Sequence, residues 1–271
     1  MRVLGIIPAR YASTRFPAKP LVDIKGKSMI QRVYEQAKQA ESLAKVVVAT
    51  DDKRIFDHVK SFSGEVVMTS LKHKSGTDRC AEVVAMLNLE AITESFDTDN
   101  PIVFYGFNPK KERVTFDAVV NIQGDEPFID PLQIEKVVEI LRGGVFKIAT
   151  LVKKMDDLEA ILNPNIVKVV FDSSHKAIYF SRNPIPFLRD TPQYDWAKSG
   201  EFHKHLGLYA YKTNILKEIA DLEMSRLEKL ESLEQLRWLE NNYDIGVALT
   251  DIETIGIDTP EDLEKVLNYK I

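Results

Sequence analysis

Short Val- and Ile-rich runs alternate with amphipathic stretches through the first half of the chain. Val3–Ile7, Lys45–Thr50, Glu65–Met68 and Ala118–Ile122 are brief and bounded by polar residues or glycine, the pattern of strands buried on both faces of a parallel sheet. Between the first two, Met29, Ile30, Val33, Ala37 and Ala40 recur at three- and four-residue spacing and predict a helix with one apolar face. Further helices are expected over 52–62, 77–90 and 130–142. Strand, helix, strand, helix in this order predicts a doubly wound α/β fold, in which ligands bind outside the carboxyl ends of the strands.

The second half is more mixed. Lys147–Val152, Ile166–Phe171, Ala177–Phe180, Leu206–Tyr211 and Ile245–Thr250 read as strands. Arg226 to Asn241 predicts one helix, with Leu227, Leu230, Leu233, Leu236 and Leu239 as a stripe that drifts around the axis because its spacing is three. A last helix opens at Pro260: Thr259 suits the N-cap, and Glu261 and Asp262 suit the positive end of the helix dipole. No repeat or low-complexity linker interrupts the chain, so 1–271 reads as one continuous domain with a subdomain around 170–240. Residues 85–117 are the least regular stretch. There Asp97, Asp99, Asn100 and Pro101 mark a loop, and Ile102–Phe107 and Glu112–Phe116 flank Asn108-Pro109-Lys110-Lys111 as a predicted surface hairpin.

With 271 residues, 44% of them hydrophobic and 28% charged, the chain can bury a substantial core, which excludes a disordered chain and a collagen-like repeat. The single cysteine, Cys80, excludes an internal disulfide and fits a reducing compartment. A net charge of −5 gives no overall field for nucleic acid or an anionic membrane, so a polyanion has to be met by local positive charge. The apolar start ends at Pro8 and Arg10, too soon for a signal-peptide core or a membrane span, and the expected setting is soluble and cytoplasmic.

Two nucleotide signals fail on inspection. Gly26-Lys27-Ser28 resembles the end of a P-loop, but Leu21 stands where the motif needs glycine, and no G-x-G-x-x-G occurs. Asp97-Thr98-Asp99 matches the D-x-D of metal-dependent glycosyltransferases, a spacing that also arises by chance. The loop leaving the first strand is more informative, because Arg10, Arg15 and Lys19 sit among Pro8, Pro17 and Pro20. Charges alone describe a solvated basic loop; prolines that restrict the backbone, at a strand's carboxyl end, favour a loop wrapped around a triphosphate.

Asn121-Ile122-Gln123-Gly124-Asp125-Glu126-Pro127 follows a buried strand and places carboxylates where Mg²⁺ can be held with phosphate oxygens, while Gly124 admits a close approach of another backbone or a ligand. Asp258, after Ile255–Ile257, reads either as a second such carboxylate or as the neighbour of a helix cap. Ser75-Gly76-Thr77-Asp78-Arg79 opens a helix whose free N–H groups bind an anion or a base acceptor, or are capped by Ser75 or Thr77. His203-Lys204-His205 offers two ring nitrogens but lacks the further ligands zinc requires. Glu228, Glu231 and Gln235 form a polar stripe that, on periodicity alone, is the wet face of a helix.

Taken in order, PARYASTRFPAKPL, HKSGTDR, NIQGDEP, NPNIVKVVF, YFSRNPIPF, HLGLYAY, LEKLESLEQLR and GIDTPEDLEKV resemble the CMP-Kdo synthetase family, the 3-deoxy-manno-octulosonate cytidylyltransferases. The resemblance covers nearly the whole chain except about 85–117. It implies a GT-A-like nucleotidyltransferase fold, with a mostly parallel Rossmann-like sheet flanked by helices and a sugar-binding and dimerisation subdomain. It further implies a homodimer, Mg²⁺, and the reaction CTP + Kdo → CMP-Kdo + pyrophosphate for lipopolysaccharide synthesis.

Carried onto this sequence, the resemblance implies that Ala9, Arg10 and Lys19 hold the phosphates and that Ser75, Gly76 and Arg79 contact the nucleoside, with Gln123 and Asp125 beside them. Asp125 and Asp258 would carry the metal, and Arg10, Lys19, Asp125 and Asp258 the catalysis. Arg15, Gln123, Arg182, His205, Tyr209, Glu231 and Gln235 would line the sugar site. Ala18 departs from the family's usual Gly, Lys74 from its common Gln, and 85–117 is the large departure, read as an accessory hairpin because Phe104, Tyr105 and Phe107 are costly to expose. The residues leave open the same reaction on the 8-amino analogue of Kdo. From other classes they leave a GT-A glycosyltransferase using Asp97-Thr98-Asp99, and a silent nucleotide-binding relative.

Overall fold

The apolar run at the start of the chain forms β1 (Val3–Ala9), which is buried along nearly its whole length. The computed structural model describes residues 1–12, 16–88, 104–106 and 115–268, so Arg15, Asp97-Thr98-Asp99 and most of the expected hairpin lie outside the described residues. Two units separate by their internal packing: 1–135 with 253–271, and 136–252.

In the first unit β1 lies between two parallel neighbours, β4 (Leu43–Thr50) and β7 (Ala118–Asn121). β5 (Val66–Met68) adds in parallel to β4. The short β6 (Phe104–Tyr105) closes this edge antiparallel to β5, so Phe104 and Tyr105 extend the sheet and have β5 as their pairing partner. Parallel strands covered on both faces leave continuous apolar runs, which is why these were legible. The small hairpin of β2 (Asp23–Ile24) and β3 (Lys27–Ser28) turns at Gly26, whose φ is +85°, and accounts for the P-loop-like Gly26-Lys27-Ser28.

α1 (Met29–Ala37) starts where the Ser28 hydroxyl accepts from the Gln31 N–H at 3.2 Å, and it buries Met29, Ile30, Val33, Tyr34 and Ala37. α2 (Lys53–Ser61) is capped by Asp52, which accepts from the Arg54 N–H at 2.9 Å. α3 (Gly76–Asn88) and α4 (Pro131–Arg142) occupy the segments the sequence predicts. The last helix, α10 (Pro260–Asn268), is capped at Thr259, whose hydroxyl accepts from the Asp262 N–H at 3.3 Å.

The second unit carries β8 (Ile148–Lys154), β9 (Lys168–Phe171), β10 (Ala177–Ser181), β11 (His203–Lys212) and β12 (Ile245–Leu249). β11 pairs antiparallel with β8 and β9, β10 lies antiparallel to β9, and β12 is parallel to β8. Because β8 and β12 belong to this sheet, the unit is wider than the expected 170–240. Short α5 (Leu158–Leu162) and α6 (Trp196–Ser199) enclose a cluster of Met155, Ile161, Trp196 and Phe202. α7 (Thr213–Ala220) was not foreseen; it follows β11 directly and buries Ile215, Leu216 and Ile219.

The single helix expected from Arg226 to Asn241 is two: α8 (Arg226–Glu231) and α9 (Gln235–Glu240). Ser232 takes a left-handed conformation with φ 54°, which ends α8. A leucine every third residue cannot hold one face of a 3.6-residue helix over four turns. The break lets Leu233 and Leu236 go inside while Leu230 remains exposed. Nor is the polar stripe a wet face, since Glu228 and Gln235 are buried at 6% and 5% exposure. No helix among the described residues is long and apolar enough to cross a membrane.

Candidate active site

A cleft of about 230 Å³ opens at the carboxyl ends of β1 and β7 in the first unit. Pro8, Ala9 and Arg10 line it from the end of β1, Gln123, Gly124 and Asp125 from beyond β7, and Ser75, Gly76 and Arg79 from the start of α3. Lys19 and Asp258 complete the lining, so every described nucleotide-side candidate meets here. The position follows the rule for open α/β sheets.

The loop carrying the cations folds back on itself. The Ala18 N–H donates to the Tyr11 carbonyl at 3.1 Å, and a short 3₁₀ turn follows at Lys19–Leu21 with Pro20 near its start. Ala18 adopts φ 60°, ψ 14°, a left-handed conformation that costs an L-residue about 1 kcal/mol and glycine nothing. This turn sends the Lys19 side chain inward. Its Nζ donates to Asp125 Oδ2 at 2.7 Å and to Asp258 Oδ1 at 3.0 Å.

Asp258 arrives from the far end of the chain because the Ile257 N–H donates to the Asp125 carbonyl at 2.9 Å. Ile257 itself is buried with Ile24, Met29 and Val266. Beneath the Asp125 loop, a Cβ on Gly124 would stand 2.9 Å from the Pro8 carbonyl oxygen, closer than side chains tolerate. The expected use of Gly124 is thus a close approach to β1.

At the start of α3 the Ser75 hydroxyl accepts from the Asp78 N–H at 3.1 Å, while Asp78 Oδ2 accepts from the Ser75 N–H at 3.0 Å. This reciprocal cap is the plainer of the two sequence readings, and it also fixes the helix start that faces the cleft. Arg79 is 4% exposed. Its Nη2 donates to Asp51 Oδ2 at 2.6 Å, and its Nη1 bonds the Thr69 hydroxyl. The sequence reading missed Asp51, although a carboxylate just past the end of β4 was the signal it used at Asp125. His73 and Lys74 also line the cleft, and His73 Nε2 lies 2.6 Å from Glu82 Oε2.

Of the sugar-side candidates, Gln123 lines this cleft and Arg15 lies outside the described residues. The others belong to the second unit. Glu231 accepts from the Ser181 hydroxyl at 2.8 Å through Oε1 and from the Arg182 N–H at 2.9 Å through Oε2. Arg182 Nε donates to the Glu231 carbonyl at 2.7 Å.

His205 Nε2 lies 2.9 Å from the Thr150 hydroxyl, with the ring edge-on to Phe180 and tilted over Tyr209. Burial pushes its pKa down to about 3, so the ring is neutral near pH 7. Burial likewise raises the Tyr209 phenol well above its ordinary value. Tyr209 stacks on Tyr211 and meets Trp238 edge-on, and Gln235 is buried in α9.

The chain matches the family model described as cytidylyltransferase over residues 4–245. It is 52% identical to a 3-deoxy-manno-octulosonate cytidylyltransferase of Parabacteroides distasonis, over 99% of this chain and 98% of that protein. An 8-amino-3,8-dideoxy-manno-octulosonate cytidylyltransferase of Shewanella frigidimarina is 44% identical over 98% of this chain and 97% of its own. Among solved structures, a CMP:2-keto-3-deoxy-manno-octonic acid synthetase complexed with CTP superposes with a TM-score of 0.82 at 38% identity, covering 98% of this chain and 97% of that one.

Proposed function

The chain belongs to the cytidylyltransferase family, and on that premise we propose that it transfers CMP from CTP to 3-deoxy-manno-octulosonate, giving CMP-Kdo and pyrophosphate. The reaction serves lipopolysaccharide synthesis, and the proposed setting is the cytoplasm, with the enzyme a homodimer. One observation carries the reading: the Lys19 ammonium held between Asp125 and Asp258 in a cleft that Arg10 and the start of α3 also line. Cations for a triphosphate and a carboxylate pair for a metal stand together at the end of a parallel sheet.

The carboxylate pair fits Mg²⁺. Two oxygens already converge on one cation, Lys19, and Mg²⁺ takes one or two carboxylates with phosphate oxygens and water rather than an all-protein cage. Among the described residues no cluster of three or more His, Cys, Asp or Glu offers such a cage. Asp125 and Asp258 would hold the ion, which when bound would offset charge on the triphosphate and polarise the reacting oxygen.

The rest is the chain's own work. Arg10 and Lys19 place positive charge beside the phosphates, and Ala9, Ser75 and Gly76 bring backbone and helix-start donors to the nucleotide. Arg79, fixed by Asp51 and Thr69, contacts the nucleoside. The anomeric hydroxyl oxygen of the sugar attacks the α-phosphorus, and the bond from that phosphorus to the bridging oxygen breaks in line. Pyrophosphate leaves with the electron pair, and the hydroxyl proton passes to solvent. Catalysis is by positioning and electrostatics, with no covalent intermediate. In the second unit Arg182, His205, Tyr209, Glu231 and Gln235 are the candidates for the sugar acid, and neutral His205 serves as a hydrogen-bonding group rather than a cation.

The 44% identical relative named for the 8-amino sugar supports a second reading on that substrate. Pyrophosphate release from CTP and Mg²⁺, with the two sugars in parallel, tests both. Faster release with Kdo supports the first reading, preference for the amino sugar moves the substrate, and silence with both removes the transferase.

A further inference from the structure

We propose that Lys168 is a positioning residue for the sugar acid: it fixes the 163–166 turn that in turn fixes the Arg182 guanidinium, and with Arg182 it makes the surroundings of Glu231 net positive. The inference rests on the reaction proposed above and gives a role to a residue which that reading does not use.

Lys168 lies on β9 with 0% of its surface exposed. Its Nζ donates to the Asn163 carbonyl at 2.8 Å and to the Ile166 carbonyl at 2.5 Å. Between these two acceptors in the chain, the Pro164 carbonyl accepts from Arg182 Nη1 at 3.0 Å. Arg182 is anchored twice more, at the Glu231 carbonyl at 2.7 Å and the Ser232 carbonyl at 3.4 Å. The ammonium therefore pins both ends of a turn whose middle holds the guanidinium.

Every acceptor on the two cations is a neutral carbonyl. The Glu231 carboxylate is turned to the Ser181 hydroxyl and the Arg182 N–H. Among the described residues neither cation is ion-paired, and Glu231 is the carboxylate whose charge acts on Lys168. Burial and then the charge of Arg182 lower the Lys168 pKa, while Glu231 opposes them. A guanidinium has five N–H groups, and three are taken here, so two remain for a ligand. The group that supplies the missing charge and fits a planar fork is a carboxylate, which a keto-sugar acid carries.

Steady-state pyrophosphate release tests this with Lys168→Met, which keeps the chain length, and Lys168→Gln, which keeps N–H donors for the turn but removes the charge. The expected result is a roughly tenfold rise in KM for the sugar acid in Lys168→Met and a smaller rise in Lys168→Gln, with KM for CTP within twofold of wild type. Adding Lys168→Met to Arg182→Met is expected to worsen KM for the sugar acid no further, because one residue acts through the other. An unchanged KM for the sugar acid, equal rises for both substrates, or full additivity overturns the inference. Where Lys168→Met does not fold, Lys168→Gln decides alone. A wild-type enzyme that releases no pyrophosphate with the sugar acid overturns the proposed function and this inference with it; an active wild type with unaffected variants overturns the role of Lys168 only.

Discussion

The Ile257 N–H donates to the Asp125 carbonyl over 2.9 Å, and this backbone bond sets Asp258 beside Asp125 although the two are far apart in sequence. Both carboxylates then reach the Lys19 ammonium. Asp125→Asn keeps the size of the side chain and the backbone bond to Ile257 while removing the charge. Turnover is expected to fall about a hundredfold or more, the scale seen when one preorganised electrostatic group is lost. The thermal midpoint is expected to stay within a few degrees, because the carbonyl that orders the loop is untouched. Pyrophosphate release and a melting curve check both, and near-normal turnover removes Asp125 from the catalytic set.

Gly124 lies where the Asp125 loop passes close to the backbone at the end of β1. A Cβ there would be 2.9 Å from the Pro8 carbonyl oxygen, and backbone yields less readily than the end of a side chain. Gly124→Ala is expected to cost about 1–3 kcal/mol in urea unfolding, as overpacking does. The displaced segment includes Ala9 and Arg10, so KM for CTP is expected to rise with it. A variant as stable as the wild type would show that β1 and the Asp125 loop can move apart freely.

His205 couples stability to pH. Its folded pKa is lowered from 6.5 to about 3 by burial, so between these values the unfolded chain binds the proton and the folded chain does not. The stabilisation is complete above about pH 6.5 and is lost as pH falls through that window, by up to about 1.4 kcal/mol per unit. His205→Phe leaves Thr150 with its bond to the Leu208 carbonyl at 2.9 Å. The difference in stability between wild type and His205→Phe is expected to shift toward the variant from about pH 7.5 to about pH 5; no shift in urea titrations would mean that the ring is protonated in the fold.

Much of the cleft's lining could be read from the chain alone. Arg10, Lys19, Ser75 and Asp125 sit in short motifs just past strand ends or at a helix start, where position in sequence and position in space coincide. Asp258 was ambiguous because what brings it to Asp125 is a backbone bond and the burial of Ile257, neither of which leaves a mark in a motif. Lys168 was invisible for a different reason: it lies inside an apolar run, and nothing in the pattern says that its ammonium bends back to the turn before it. Two elements were misread. The Arg226–Asn241 helix ignores a left-handed Ser232 that no composition signal announces, and α7 follows β11 with no turn residue between them.

A buried pair of Glu228 and Arg237 stands in place of the wet face expected on those helices. Arg237 Nε and Nη2 donate to the two Glu228 oxygens at 2.7 and 2.6 Å, and the side chains are only 11% and 8% exposed. Glu228 also accepts from the Ser225 N–H to complete the α8 cap. Glu228→Ala therefore takes the two-pronged carboxylate from a buried guanidinium, which keeps the Leu222 carbonyl at 3.0 Å and Glu234 at 4.0 Å, and it opens a helix start; it is expected to cost about 3 kcal/mol in urea unfolding. Glu228→Met combined with Arg237→Met removes both charges and is expected to cost much less than the two single changes summed. Since α8 ends at Glu231, whose carbonyl and carboxylate both engage Arg182, Glu228→Ala is expected to raise KM for the sugar acid more than KM for CTP. A loss below about 1 kcal/mol, or equal effects on both substrates, would mean that α8 keeps its shape, and its hold on Arg182, without the pair.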